Sequence, residues 1–176
     1  VAHLEGLFSV QDDDRTAERY FVSNRIAYNF SEKSYYFGMV TYTDDNFGGY
    51  QYQAATSTGL GHNFLESETM QWDVETGLGY RIGVLDDDAI DDEKEAILRL
   101  GTTYIWKISE TTQFKQDLAT ETGDENTISF LESALQVKVI GDLSIKISYK
   151  VRYTQEVPVD IAHADIETLL SVSYAF

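Results

Sequence analysis

The sequence predicts an all-β chain, an antiparallel up-and-down transmembrane β-barrel of about ten strands, and three observations carry that reading. Segments of ten or more residues with period-two alternation recur from end to end. Their connections alternate between tight turns and longer acidic loops. Nearly every basic side chain falls on one face of its segment. Together these give a single outer-membrane barrel domain over residues 1–176.

The segments are expected at 1–10, 17–30, 35–45, 50–64, 70–84, 95–108, 112–122, 127–140, 142–155 and 164–176. The second, fourth, sixth and eighth end in tight turns, "SEKS", "LESET", "SETT" and "GD". Odd-numbered segments run into "QDDDRT", "DDNFGG", "DDDAIDDEKE", "TGDEN" and "EVPVDIAHAD". Short turns on one rim and longer loops on the other are the plan of an outer-membrane barrel, with short turns facing the periplasm. The ninth segment separates its faces most clearly: Leu143, Ile145, Ile147, Tyr149, Val151 and Tyr153 alternate with Ser144, Lys146, Ser148, Lys150, Arg152 and Thr154. The tenth does the same, with Ile166, Thr168, Leu170, Val172, Tyr174 and Phe176 on its greasy side.

Extending that register puts Arg19, Arg25, Arg81, Arg99, Lys107, Lys115, Lys138, Lys146, Lys150 and Arg152 on the polar face, leaving Arg15, Lys33 and Lys94 of the 13 basic residues in connections. A mid-bilayer Lys or Arg costs about 2–4 kcal/mol, so this face looks into a lumen. Glu5, Asp73, Glu75, Asp117, Glu132 and Glu167 share it. Confined opposite charges are expected to pair, giving a salt-bridged plug with little or no conductance and, because bases outnumber acids, a weak anion preference. Aromatic residues near both rims, Phe30, Tyr36, Phe64, Trp72 and Trp106 at one and Tyr20, Tyr42, Tyr52 and Tyr153 at the other, match interfacial girdles. Gly59, Gly61, Gly77 and Gly79 are expected to face the lumen and make room for large neighbours such as Arg81.

Composition narrows the function. The 30 acidic and 13 basic residues give a net charge of −17, which repels nucleic-acid phosphates. Absence of cysteine excludes disulfides and thiolate metal sites. No run of about 18 apolar residues offers a transmembrane helix. The chain opens at Val1 without a charged and then apolar leader, so a signal peptide is expected upstream or already removed. Loop acids, among them Asp44, Asp45, Glu93, Glu95, Glu121, Asp124, Glu125, Glu156 and Asp165, are expected on the outer rim. Asp86, Asp87, Asp88, Asp91 and Asp92 within it supply the oxygen ligands Ca²⁺ or Mg²⁺ would take loosely, although the spacing is not that of an EF-hand. No tightly bound cofactor is expected. Partners expected from the architecture are outer-membrane lipid and lipopolysaccharide, with other envelope proteins as candidates.

No catalytic residue is assigned, and the expected protein is not an enzyme. Two other classes stay in view. A hydrolase built on the barrel would bring His163 to loop carboxylates as a protease, or Ser, His62 and an orienting group together on the outer wall as a lipase. A soluble β-sandwich or lipocalin-like binder would dissolve without detergent.

The run "RTAERYFVSNRIAYNFSEKSYYFGMVTYTDDNFGGYQYQ", followed by "WDVETGLGYRI", "TTQFKQDLATETGDENT", "LSIKISYKVRYTQEVP" and "SVSYAF", resembles the salt-induced outer-membrane protein family of Gram-negative bacteria, largely a domain of unknown function. That resemblance implies a location in the outer membrane. It also implies a hairpin preceding the position of Val1, hence a native barrel of about twelve strands of which ten lie here. Terminal Tyr174 and Phe176 resemble the signal that the barrel-assembly machinery reads.

Overall fold

The computed structural model describes residues 2–11, 14–45, 50–85, 92–141, 143–157 and 162–174. Ten strands follow one another: β1 (Ala2–Gln11), β2 (Asp14–Asn29), β3 (Ser34–Asp45), β4 (Tyr50–Glu66), β5 (Met70–Leu85), β6 (Glu93–Lys107), β7 (Thr112–Thr122), β8 (Thr127–Ile140), β9 (Leu143–Thr154) and β10 (Ala164–Tyr174). Each pairs antiparallel with the next, so spatial order equals chain order from β1 to β10. The expected strands hold to within a few residues at their ends. Among the described residues no helix is long and apolar enough to cross a membrane.

Local chemistry explains the tight turns. Three of them carry a Ser-Glu pair, Ser31-Glu32, Ser67-Glu68 and Ser109-Glu110. The Ser31 and Ser67 hydroxyls accept from the backbone N–H of Ser34 and Met70, each at 2.9 Å, and backbone bonds from Ser67 to Met70 (2.8 Å) and Ser109 to Thr112 (3.2 Å) close the chain reversal. A serine side chain thus supplies the bond that turns the chain. The β8–β9 connection uses Gly141 instead, whose φ of 53° lies in the left-handed region a two-residue hairpin demands.

The sheet is curled, and one contact proves it. Arg152 on β9 donates to Gln53 Oε1 on β4, although five strand spacings would separate them by roughly 24 Å in a flat sheet. Curling gives each strand an inner and an outer face. Outside stand Leu170, 73% exposed, Leu78, 68% exposed, and Ile26, Val40, Leu100, Ile147 and Val172. Inside lie Phe37, Ile97, Ile128 and Ala134 together with buried Arg81, Glu95, Glu121, Gln53 and Ser57. This inverts a water-soluble protein's ordering, in which charge is outside and grease within.

Aromatic side chains gather where the alternation predicts. Phe30 and Tyr36 pack at 4.6 Å between ring centroids, and Phe64 and Trp72 at 5.5 Å, on the exposed outer wall near the short turns. Tyr42 and Tyr52 stack at 5.7 Å toward the other end.

A charged lumen as the candidate functional site

Inward side chains of β2 through β10 surround a cavity of about 420 Å³. Register dictates who meets whom, because the side chain directly across a strand pair is the nearest neighbour on the same face. Arg81 lies opposite Glu95, and Arg99 opposite Glu121. Both pairs close: Arg81 Nε donates to Glu95 Oε1 at 3.1 Å, and Arg99 Nη1 to Glu121 Oε1 at 2.6 Å. Glu121 also approaches Arg81, at 3.9 Å, so the two pairs form one chain of alternating charge. Arg81 is 2% exposed and Glu95 4%. Such burial is tolerable only because every charge here has an opposite.

Farther from the long-loop end the pairs are wetter. Lys146 Nζ reaches Glu132 Oε1 at 2.8 Å, and Lys115 Nζ reaches Asp117 Oδ2 at 2.7 Å. Asp117 also accepts from the Thr103 hydroxyl at 2.7 Å. Lys150 sits in register between Glu132 and Glu167. Glu75 is held by Arg25 and by the Tyr35 hydroxyl, the latter at 2.9 Å, while Asp73 accepts from Gln71 Nε2 at 2.7 Å. Lys138 is exposed near the short-turn end of β8. Arg152 lies 5.8 Å over the Phe130 ring as it crosses to Gln53.

Two expectations change. Glu95 and Glu121 were expected on the outer rim, and both are buried in the lumen. Their parity on β6 and β7 puts them on the face of Arg99 and Asp117, and β6 starting at Glu93 sets Glu95 two residues inside the ladder rather than at its end. With these two inside, the excess of bases over acids on which a weak anion preference was expected narrows. The glycines do make room, but for other neighbours than Arg81. A Cβ on Gly61 would stand 2.1 Å from the Tyr35 ring, one on Gly77 2.6 Å from the Thr58 carbonyl oxygen and 3.0 Å from Phe37, and one on Gly59 2.1–2.8 Å from the Thr76 and Gly77 backbone. Aromatic rings fill the lumen over β4 and β5, while Arg81 belongs to the mouth above.

The remaining candidates separate. Asp86, Asp87, Asp88 and Asp91 lie outside the described residues, as do Phe176 and the side chains of Arg19 and Tyr174. Asp92 is within 3.4 Å of Lys94. Among the described residues no group of three or more His, Asp or Glu is placed to hold a metal ion. His163 bonds the Thr154 carbonyl oxygen at 3.0 Å and stacks on Tyr153. His62 meets Ser34 Oγ through Nδ1 at 2.8 Å, an outward cross-strand pair beside Phe64. Among the described residues no carboxylate bonds its other ring nitrogen, so the orienting member of a triad is lacking.

Missed by sequence reasoning were Asn126, Gln53 and Tyr35 as members of the network. Asn126 and Gln53 carry no charge, and their roles depend on β4, β7, β8 and β9 meeting across the curl of the sheet.

The family described as "Protein of unknown function, DUF481" has a model that matches residues 2–176. A curated relative, the uncharacterized protein YdiY of Escherichia coli (strain K12), is 27% identical over 165 residues, 93% of this chain. The chain spans 64% of that relative's length. No solved structure matches it.

Proposed function

We propose a function on one premise: this chain belongs to the DUF481 family. It is an integral β-barrel of a Gram-negative outer membrane, non-enzymatic, structural or narrowly porin-like, with a lumen occluded by ion pairs. The observation that carries this reading is the inverted distribution of polarity. An outer wall bearing Ile26, Leu78, Ile147, Leu170 and Val172 in the open exposes far more contiguous apolar surface than a soluble monomer tolerates. Lipid relieves that exposure, while the lumen keeps Lys and Arg off the bilayer midplane. In this reading the aromatic side chains at both ends sit at headgroup level. The acidic long-loop rim, including Asp92, attracts divalent cations that bridge to lipopolysaccharide phosphates. Tyr174 and Phe176 present the assembly signal.

Single cysteines test this. Substitutions at Leu78, Ile147 and Leu170 should be labelled by lipid-phase probes, and those at Ala119 and Ser148 by water-soluble ones. Reversal of the two sets, or a protein that stays in solution without detergent, would overturn the assignment.

A further inference from the structure

We infer that the β7–β8 turn, Gly123 to Asn126, is a latch seated on the Glu95 carboxylate that shuts the lumen at its long-loop end and leaves the cavity reachable from the short-turn end. This rests on the barrel reading above and adds the place, the parts and the sidedness of the closure.

The turn is bound down into the mouth by a single carboxylate. Glu95 Oε2 accepts from the backbone N–H of Glu125 at 2.7 Å and of Asn126 at 3.3 Å, while its Oε1 holds Arg81. Arg81 Nη2 in turn donates to the Asn126 carbonyl at 2.7 Å. Guanidinium and carboxylate therefore grip the acceptor and the donors of the same turn. Gly123 completes the seat, because a Cβ there would stand 1.9 Å from Glu95 Oε2. That oxygen could retreat only by giving up the backbone bonds it accepts.

The latch is also tied sideways. Asn126 Nδ2 donates to the Glu156 carbonyl at 2.7 Å, and Asn126 Oδ1 accepts from the Glu156 N–H at 3.0 Å. A paired amide bond of this kind joins the β7–β8 turn to the start of the β9–β10 connection. Across the same mouth Arg152 bridges to Gln53, linking β9 to β4. Asn126 is as buried as the core residues Ile97 and Ile128, which is unusual for a turn residue, since turns run over the surface. Toward the other end the lumen side chains of Lys115 and Lys146 are about two-fifths exposed. Nothing comparable is folded over them among the described residues.

Breaking the grip should open one end only. Glu95→Gln removes the charge that holds Arg81, and Gly123→Ala leaves every charge in place but forces the turn off its seat. The reporter is a cysteine at Ala119, an inward residue lining the cavity, in the full chain inserted with known orientation in lipid vesicles. A membrane-impermeant thiol reagent is applied from each side.

With the mouth intact, the cysteine should react from the short-turn side and be protected from the long-loop side. Glu95→Gln should raise the long-loop-side rate by about a hundredfold, the least that losing a buried charge partner implies, and Gly123→Ala should raise it as well, with the short-turn-side rate unchanged in both. Equal rates from both sides with the mouth intact would overturn the latch, as would protection that survives both variants. Sidedness of the Ala119 reporter alone decides the question if either variant fails to insert. Protein recovered without detergent would instead sink the barrel reading, so the two failures are distinguishable.

Discussion

Two sets of ion pairs share this lumen and differ in what surrounds them. At the long-loop mouth the Arg81 and Glu95 side chains are each 2% exposed and are held by backbone groups of a turn. Farther down, Lys146 and Glu132 also pair, at 2.8 Å, yet they are 40% and 28% exposed. A base paired with a carboxylate therefore differs in worth with its surroundings. The mouth pair has no water to fall back on, so removing one member strands the other. The lower pair exchanges readily with water and is weakened by salt. Fastening and solvation divide the barrel along its axis.

Arg81→Ala should break that contrast most severely, because it leaves Glu95 and Glu121 buried without their shared partner. A loss of about 3–5 kcal/mol is expected, read as a lower urea midpoint for unfolding from lipid vesicles. Arg81→Lys should recover little, since an ammonium cannot reach Glu95 and the Asn126 carbonyl with a planar fork.

Ile147→Arg tests the wall rather than the mouth. Ile147 adjoins Lys146 on β9 but points outward, and a charge there should cost about 2–4 kcal/mol near the bilayer midplane. If the same unfolding measurement shows no loss, Ile147 does not face lipid.

Gly61→Ala should cost about 1–3 kcal/mol by overpacking against Tyr35. Adding Tyr35→Phe should not rescue it, because the ring atoms rather than the hydroxyl make the closest approach. Restoration by Tyr35→Ala would show that the ring is the obstacle.

Lys146→Ala should change stability by less than about 1 kcal/mol, with the small effect vanishing as ionic strength rises. A loss as large as that of Arg81→Ala would erase the distinction between mouth and lower lumen.

Alternation along each segment was enough to read the strands, their inner and outer faces and the placement of Arg81, Arg99, Lys146, Lys150 and Arg152, because a side-chain period of two is a local property of extended backbone. The Ser-bearing turns were legible for the same reason. Glu95 and Glu121 show where locality ends: their parity was visible, but proximity to acidic loops suggested a solvated rim. Their partners were settled by the pairing of β5 with β6 and of β6 with β7, a register between segments that no single segment contains.

The sequence by itself determined an all-β barrel with charges inside and apolar residues outside, since one-residue parity decides that for every strand at once. Only the tertiary structure decided that Tyr35 and Phe37 occupy the glycine-lined space, that Arg152 meets Gln53, and that the β7–β8 turn sits on Glu95. Those contacts join residues 26 to 99 positions apart across the curled sheet. They follow from curvature and loop placement, which depend on how all the strands twist together.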